Sequence, residues 1–227
     1  FFFKQKTAYE IVSRDWSSDV CSSDLEVREL LKERREPTIT FVPADDDSPD
    51  CDFRDFKRSI APSGVRRLRY ISLHRPLSLQ SEKTLFSSDV IFLGGGNTFH
   101  FLHQLRERKL LTKLRSYVRE GGILMGLSAG GILLTPSVMT AEVPSLDRDE
   151  NDIGVRDYRA LGLVPFEFSP HYEGGRKVDS ELLSHSRRSK NPIYACADGE
   201  GIVVRDHSIR FVGRVTVFHR GHKYTLQ

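Results

Sequence analysis

The chain has few cysteines, and they form no recognisable motif. Among its 227 residues only Cys21, Cys51 and Cys196 are cysteines, and no two of them make a C-x-x-C pair. A disulfide framework of the kind found in small secreted domains is therefore absent, and so is the ligand spacing of a zinc site. We expect a reduced, cytoplasmic protein that uses no metal and no other cofactor.

Long apolar runs and an excess of one charge are also missing. No apolar run approaches the roughly 20 residues of a membrane span. Basic and acidic residues number 34 and 31, for a net charge of +3, which is too balanced to indicate nucleic-acid binding. We expect neither a membrane nor a nucleic acid as partner. The length suits one domain with a substantial core.

The strongest positive signal is the segment Gly126-Leu127-Ser128-Ala129-Gly130, which directly follows an apolar run. An apolar strand that leads into G-x-S-x-G and then a helix is typical of a nucleophile elbow. Such a turn exposes the hydroxyl of Ser128 and directs the N–H of Ala129 toward a developing oxyanion. A serine in a turn is by default a capping residue, but the small residues on both sides favour a nucleophile.

A second glycine cluster, GGGNT, follows the apolar strand at 90–93. Glycines at the end of a strand let the backbone approach a ligand closely and offer bare N–H groups. We predict Gly96 as the second oxyanion donor beside Ala129, with Gly95 and Asn97 as substrate contacts. A phosphate cradle is disfavoured, because the third glycine of G-x-G-x-x-G and the P-loop lysine are both absent.

Two later strand ends carry side chains that suit the activation of Ser128. His171 follows the strand pattern at 166–169, and Asp198 follows the one at 193–196. A serine hydroxyl needs a base to take its proton at neutral pH, and histidine is the usual one. An acid can hold that imidazole in the required tautomer. Each residue alone also suits a structural role, so the prediction depends on their combination.

These motifs resemble those of the peptidase E-like serine peptidases, which include aspartyl dipeptidases and are related to cyanophycinases. The resemblance covers residues 26–205, on IFLGGGNTFHFL, GLSAGG, GLVPFEFSPHY and ADGEGIVV. It implies a class I glutamine amidotransferase-like fold, with serine in place of the amidotransferase cysteine. It also implies hydrolysis of short peptides by Ser128, His171 and Asp198, with Glu142 as the rival for the orienting acid.

The resemblance further implies dipeptides with an acidic N-terminal residue as substrates. An arginine is the preferred partner of a carboxylate, and Arg176 lies in the region where such a residue is expected. The alternative is that Arg176 only begins a helix. The acidic run that begins at Asp45 lacks the spacing of a calcium loop, so we expect a solvated loop beside the substrate cleft.

Two other functions stay open at this point. One is a GxSxG esterase, although the triad order there is Ser, Asp, His, whereas His171 precedes Asp198 here. The other is a binding domain without catalytic activity. A small peptide is the expected partner in the peptidase interpretation, and a homodimer stays open.

The order of elements predicts an α/β fold, a three-layer αβα domain with a mainly parallel sheet. In such sheets ligands bind at the carboxyl ends of strands, so we expect all four motifs at one edge of this sheet. Residues beyond 200 are predicted to form antiparallel hairpins. The segments behind this prediction are strands at 38–42, 68–73 and 88–93, helices at 51–60 and within 98–120, and the strand before Ser128.

The first 25 residues lack the pattern of a buried strand, since Ile11-Val12 is their only short apolar pair. They resemble a translated sequencing adapter joined to a truncated reading frame, and they lack the apolar region of a signal peptide. We predict a non-native, poorly ordered segment at 1–25 and a catalytic domain at 26–227 whose first strand is missing.

Overall fold

The computed structural model describes residues 8–12, 29, 31–32, 34–45, 49–206 and 208–226, and in this part the chain forms two β-sheets with flanking helices. The strands are β1 (Ala8–Val12), β2 (Thr38–Val42), β3 (Arg67–Tyr70), β4 (Val90–Leu93), β5 (Ile123–Leu127), β6 (Glu167–Ser169), β7 (Ile193–Cys196), β8 (Gly201–Arg205), β9 (Ser208–Val212), β10 (Val215–His219) and β11 (His222–Leu226). The α-helices are α1 (Pro49–Ile60), α2 (Leu79–Phe86), α3 (Thr98–Glu107), α4 (Leu110–Arg119), α5 (Ala129–Leu134) and α6 (Arg176–Arg188). None of the described helices is long and apolar enough to cross a bilayer.

The larger sheet has seven strands in the order β3-β2-β4-β5-β1-β8-β9. Strands β1 to β5 run parallel to their neighbours among them, whereas β8 and β9 are antiparallel. This confirms the predicted α/β fold with a mainly parallel sheet. It also confirms an antiparallel pairing for the strands beyond residue 200.

The centre of this sheet is buried on both faces, which explains its continuous apolar strands. In β4, Val90 and Phe92 face one hydrophobic cluster together with Phe56 of α1. The alternating residues Ile91 and Leu93 face the opposite cluster, which contains the apolar sides of α3, α4 and α5. Helices on both faces leave the two ends of the strands as the accessible parts of the sheet.

A second sheet has the strand order β11-β10-β7-β6, and it corrects one expectation. We expected the strands before His171 and Asp198 to lie in the same sheet as the strand before Ser128. They are β6 and β7, which pair in parallel with each other and form part of the second sheet. The distribution of strands between sheets depends on pairing between distant segments, which apolar patterns along the chain do not encode.

Part of the segment 1–25 forms a strand of the larger sheet, which differs from the expectation of a poorly ordered segment. Strand β1 lies inside the larger sheet, parallel to β5 on one side and antiparallel to β8 on the other. Its backbone continues the ladder over five residues with each neighbour. The rest of this segment lies outside the described residues. Its non-native origin, and the domain boundary at residue 26, stay predictions.

The helical region predicted at 98–120 consists of two helices, α3 and α4. They are separated at Lys109, whose φ of 55° is left-handed and ends the first helix. Both helices pack their apolar residues on the same face of the larger sheet. The first of them begins directly after the glycine cluster, so it fixes that cluster at the carboxyl end of β4.

Candidate active site

Ser128 lies at the junction between β5 and α5, where the backbone turns sharply. Its φ of 49° and ψ of −111° lie outside the helix and strand regions, which is a strained conformation often found at functional sites. A Cβ at Gly126 would lie 2.4 Å from the carbonyl oxygen of Gly130. The small residues of the motif are therefore required by backbone contacts, and the predicted nucleophile elbow is present.

The glycine cluster after β4 packs directly beside this turn. The N–H of Gly130 donates a 3.1 Å hydrogen bond to the carbonyl oxygen of Gly94. A Cβ at Gly95 would lie 3.5 Å from the Cβ of Ser128. Gly96 has a φ of 129°, and a Cβ there would lie 2.7 Å from Asp45 Oδ2, so only glycine fits. The loop after β4 thus packs directly against the turn that carries Ser128.

His171 contacts both of the other predicted triad residues. Its Nε2 lies 2.9 Å from Ser128 Oγ, and its Nδ1 lies 2.7 Å from Asp198 Oδ1. The side chains of His171 and Asp198 are 33% and 41% exposed, so the constellation opens to solvent rather than being sealed in the core. The arrangement has the nucleophile–base–acid order that proton transfer from a serine hydroxyl requires.

The backbone of His171 is held in an unusual conformation by its neighbour. His171 has a φ of 54°, and the N–H of Tyr172 donates a 2.9 Å hydrogen bond to the carbonyl oxygen of Cys196 at the end of β7. The hydroxyl of Tyr172 donates to Asp179 Oδ1 at 2.5 Å, and Lys223 Nζ donates to Asp179 Oδ2 at 2.7 Å. This network links the base to α6 and β11, and the sequence alone did not indicate it.

Asp198 is positioned by a tight turn between β7 and β8. The side chain of Glu200 accepts hydrogen bonds from the N–H groups of Ala197 at 2.8 Å and Arg214 at 3.0 Å. Gly199 has a φ of 86°, a conformation that favours glycine. The turn therefore has a fixed shape, and it directs Asp198 toward His171.

Three other predicted site residues have different surroundings. Glu142, the rival acid, accepts a 2.5 Å hydrogen bond from the hydroxyl of Tyr158. Asn97 caps α3 by accepting from two backbone N–H groups, and its amide donates to the carbonyl oxygen of Glu150. Arg176 is exposed at the first residue of α6 and is not among the residues that line the cavity at Ser128. Gly95 lines that cavity and Asn97 does not, and the roles of Gly95, Asn97 and Arg176 as substrate contacts stay predictions.

A cavity of about 510 Å³ opens at the triad, and we call it the main cavity. It is polar and rich in carboxylates, and Asp45 lies in it as the sequence predicted for a loop beside the cleft. Its lining residues are Phe41, Pro43, Asp45, Asp52, Gly95, Gly96, Leu127, Ser128, Asp147, His171 and Asp198. The described residues contain no cluster of histidine, cysteine and acidic side chains suited to a metal ion.

Asp147 is a member of this cavity that sequence analysis missed. It is solvent-exposed, yet the surrounding protein partly desolvates its carboxyl and raises its pKa. The charge of His171 lowers this pKa, whereas Asp149 and Asp198 raise it. Asp147 lines the main cavity together with His171. No sequence motif marks it, because it lies in an irregular loop after Glu142.

Comparison with known proteins identifies relatives for most of the chain. The profile described as Peptidase family S51 matches residues 18–212. Peptidase E of Nostoc sp. is 31% identical over 149 residues, which cover 61% of this chain and 58% of that protein. Peptidase E of Haemophilus influenzae is 29% identical over 203 residues, which cover 85% of this chain and 88% of that protein. The chain thus spans little more than half the length of some curated relatives, such as the Nostoc protein.

Solved structures show the same fold. A peptidase E protein from Listeria monocytogenes EGD-e has a TM-score of 0.69 at 21% identity, covering 91% of this chain and 98% of that one. A peptidase from an acI-B1 Actinobacterium has a TM-score of 0.70 at 13% identity, covering 99% and 96% respectively. At these identities the likeness supports the architecture, and the chemistry must be argued from the site.

Proposed function

The chain belongs to peptidase family S51, and on that premise we propose that it is a serine peptidase that cleaves short peptides with Ser128, His171 and Asp198 as its triad. The observation that carries this proposal is the position of His171, whose two ring nitrogens contact Ser128 and Asp198 at the same time. The strained turn at Ser128 is a second support, because such strain persists mainly at functional sites.

In the first half of the proposed reaction, Asp198 accepts the Nδ1–H of His171, which leaves the Nε2 lone pair directed at the Ser128 hydroxyl. Ser128 Oγ forms a bond to the carbonyl carbon of the peptide while its proton passes to Nε2. The negative charge of Asp198 stabilises the imidazolium. His171 then gives this proton to the leaving amine, the peptide C–N bond breaks, and an acyl-enzyme on Ser128 is left.

In the second half, a water molecule takes the place of the amine. His171 removes a proton from this water, the resulting oxygen attacks the acyl carbon, and the proton is returned to Ser128 as the acid product leaves. We assign the oxyanion hole to the N–H groups of Gly96 and Ala129. Ala129 is the first residue of α5, where N–H groups have no acceptor within the helix.

Short peptides, and dipeptides among them, suit the size of the main cavity. Its volume of about 510 Å³ is within the range of sites for small ligands. A preference for an acidic N-terminal residue is not part of this proposal. Aspartates at four positions line the main cavity, and Arg176 is not in its lining. Such a surface disfavours an additional carboxylate on the side chain of the N-terminal residue.

The proposal is tested with an alkyl fluorophosphonate probe and a neutral dipeptide, Leu-Leu. We expect one label per chain, located by mass spectrometry on Ser128, together with release of free leucine. The Ser208→Ala variant changes a serine in β9 away from the cavity. It is the control for labelling at another serine and should be labelled normally. Labelling with hydrolysis of esters but not of peptides would favour an esterase, and absence of labelling would favour a binding domain.

A further inference from the structure

A smaller pocket adjoins the main cavity behind the triad. It has a volume of about 110 Å³ and shares Ser128, Asp147 and His171 with the main cavity. Thr98 at the start of α3 and Thr140 also line it, and we call it the threonine pocket. A group that enters this pocket from the substrate therefore lies next to the bond that Ser128 attacks.

The buried hydroxyl groups of this pocket indicate that it binds a polar group. Thr98 and Thr140 are 0% and 4% exposed, and the Oγ1 of each has no hydrogen-bond partner among the described residues. Burial of a hydroxyl without a partner is unfavourable, and such groups are rare in folded proteins. A hydroxyl oxygen can accept hydrogen bonds, so both residues can contribute acceptors to a bound group.

The charged side chains that line the pocket indicate that the bound group is a cation. The carboxylate of Asp147 makes no hydrogen bond or salt bridge within the described part of the chain. The other acid of the pocket, Asp149, already accepts the N–H of Thr98 at 2.8 Å. Among the described residues that line the threonine pocket and the main cavity there is no lysine or arginine. A cation from the substrate would supply the missing counter-charge.

We propose that the threonine pocket binds an ammonium group of the substrate, with Asp147 as its counter-ion and the hydroxyls of Thr98 and Thr140 as hydrogen-bond acceptors. An ammonium group has three N–H donors and no acceptor, which matches one carboxylate and two hydroxyl oxygens. The group is either the α-ammonium of a free peptide N-terminus or the side chain of a lysine beside the scissile bond. This inference rests on the proposed function, because the pocket contains Ser128 and His171.

The first experiment compares dipeptides on the wild-type protein and separates the two sources of the ammonium group. Norleucyl-Leu carries only the α-ammonium, N-acetyl-Lys-Leu carries only the side-chain ammonium, and N-acetyl-norleucyl-Leu carries neither. We expect kcat/KM to be at least about tenfold higher for one or both of the first two peptides than for the third. N-acetyl-Asp-Leu should be cleaved more slowly than N-acetyl-norleucyl-Leu, because it adds a side-chain carboxylate. Equal rates for all four peptides would overturn the inference.

The second experiment uses Asp147→Asn and Thr140→Val, with Asp55→Asn and Thr112→Val as matched controls. The control positions lie outside both pockets. We expect Asp147→Asn to remove the preference for the cationic peptide, mainly through KM, and Thr140→Val to reduce it by about tenfold. A preference that survives in Asp147→Asn would overturn the proposed counter-ion.

The neutral fluorophosphonate probe separates this inference from the proposed function. Its reaction with Ser128 requires the nucleophile and the base but no ammonium group. Normal labelling of a wild-type protein that shows no cationic preference would overturn the inference and leave the peptidase proposal intact. A wild-type protein that is folded by circular dichroism but not labelled would contradict both.

Discussion

Gly130 lies against the carbonyl oxygen of Leu93 so closely that a Cβ at position 130 would come within 2.2 Å of it. Its N–H also bonds to the carbonyl oxygen of Gly94. These contacts join the first turn of α5 to the loop after β4. The elbow that carries Ser128 and the loop that carries Gly96 are therefore held together by backbone atoms, with no room for a side chain between them.

We predict that Gly130→Ala destabilises the protein by about 2–3 kcal/mol, because overpacking against a backbone oxygen cannot be relieved by rotation of a side chain. Its kcat/KM should fall as well, because relief of the clash moves the loop that carries Gly96, the proposed oxyanion donor, away from Ser128. Urea unfolding and dipeptide hydrolysis measure the two effects. Gly64→Ala is the control, since no atom lies within 4 Å of its Cβ position. It should lose only about 1 kcal/mol to its left-handed φ and keep its activity.

We predict that Ser128→Ala lowers kcat by at least about 10⁴-fold, because the nucleophile is removed. The fold should be preserved, since the serine side chain is only partly covered at its turn. Steady-state hydrolysis and the melting temperature give the two readouts. Retention of more than about a tenth of the wild-type turnover would exclude Ser128 as nucleophile.

We predict that Asp198→Asn lowers kcat by about 10³- to 10⁴-fold, because the amide cannot stabilise the imidazolium of His171 and favours the wrong tautomer. Glu142→Gln should change kcat far less, since Glu142 is bonded to Tyr158 rather than to His171. Both are isosteric changes from acid to amide, so each serves as a control for the other. If Glu142→Gln has the larger effect, the orienting role belongs to Glu142.

The network at Tyr172 predicts a pH dependence of stability. Burial alone would raise the pKa of Asp179, but hydrogen bonds from Lys223 and Tyr172 lower it overall. Its contribution to stability is therefore complete above the ordinary value of 3.8 and is lost as the pH falls through the folded-state value. Hydrogen bonds to Asp179 and Tyr172 raise the pKa of Lys223 above 10.5, so its contribution is lost only at still higher pH.

We accordingly predict that Lys223→Met reduces the free energy of unfolding at pH 7 by roughly 1 kcal/mol, a modest value because the pair is partly exposed. The stability of this variant should fall less steeply than that of wild type as the pH drops below about 4. Urea unfolding between pH 3 and pH 8 measures both effects. Identical pH profiles for the two proteins would contradict the role of Lys223 in this network.

The position of β1 predicts that the N-terminal segment stabilises the fold. Glu10 pairs with Met125 of β5 and Val203 of β8, so Glu10→Pro disrupts the ladder inside the sheet. We expect a loss of at least about 2 kcal/mol in urea unfolding. Glu10→Thr, which keeps the backbone N–H and suits a strand, is the control and should lose less stability than Glu10→Pro. Equal stability of the proline variant and wild type would show that the segment does not contribute a strand.

The sequence by itself determined the local features of this protein. The elbow at Ser128 and the glycine cluster that contains Gly96 were both predicted. Each depends on a few consecutive small residues, and close backbone contacts at a sharp turn require such residues. The strand at 38–42 was predicted with the observed bounds for a similar reason, since a short apolar run flanked by a proline has few alternatives. His171 and Asp198 were singled out by their position at strand ends.

Only the tertiary structure decided how these local features combine. It placed β6 and β7 in a second sheet and filled the centre of the first with β1, since strand pairing joins segments far apart in the chain. It also showed that Asp198, and not Glu142, forms the hydrogen bond to His171. Both residues are acids downstream of the elbow, and only the distance to the imidazole distinguishes them.

The chemistry of the pocket depended on the tertiary structure most of all. Asp147, Thr98 and Thr140 belong to no motif, and they form one pocket only because folding brings them beside Ser128. The sequence indicated a nucleophile and a base because catalysis constrains residue types at sharp local turns. It did not indicate the charge that selects the substrate, because that charge is the sum of side chains from separate loops.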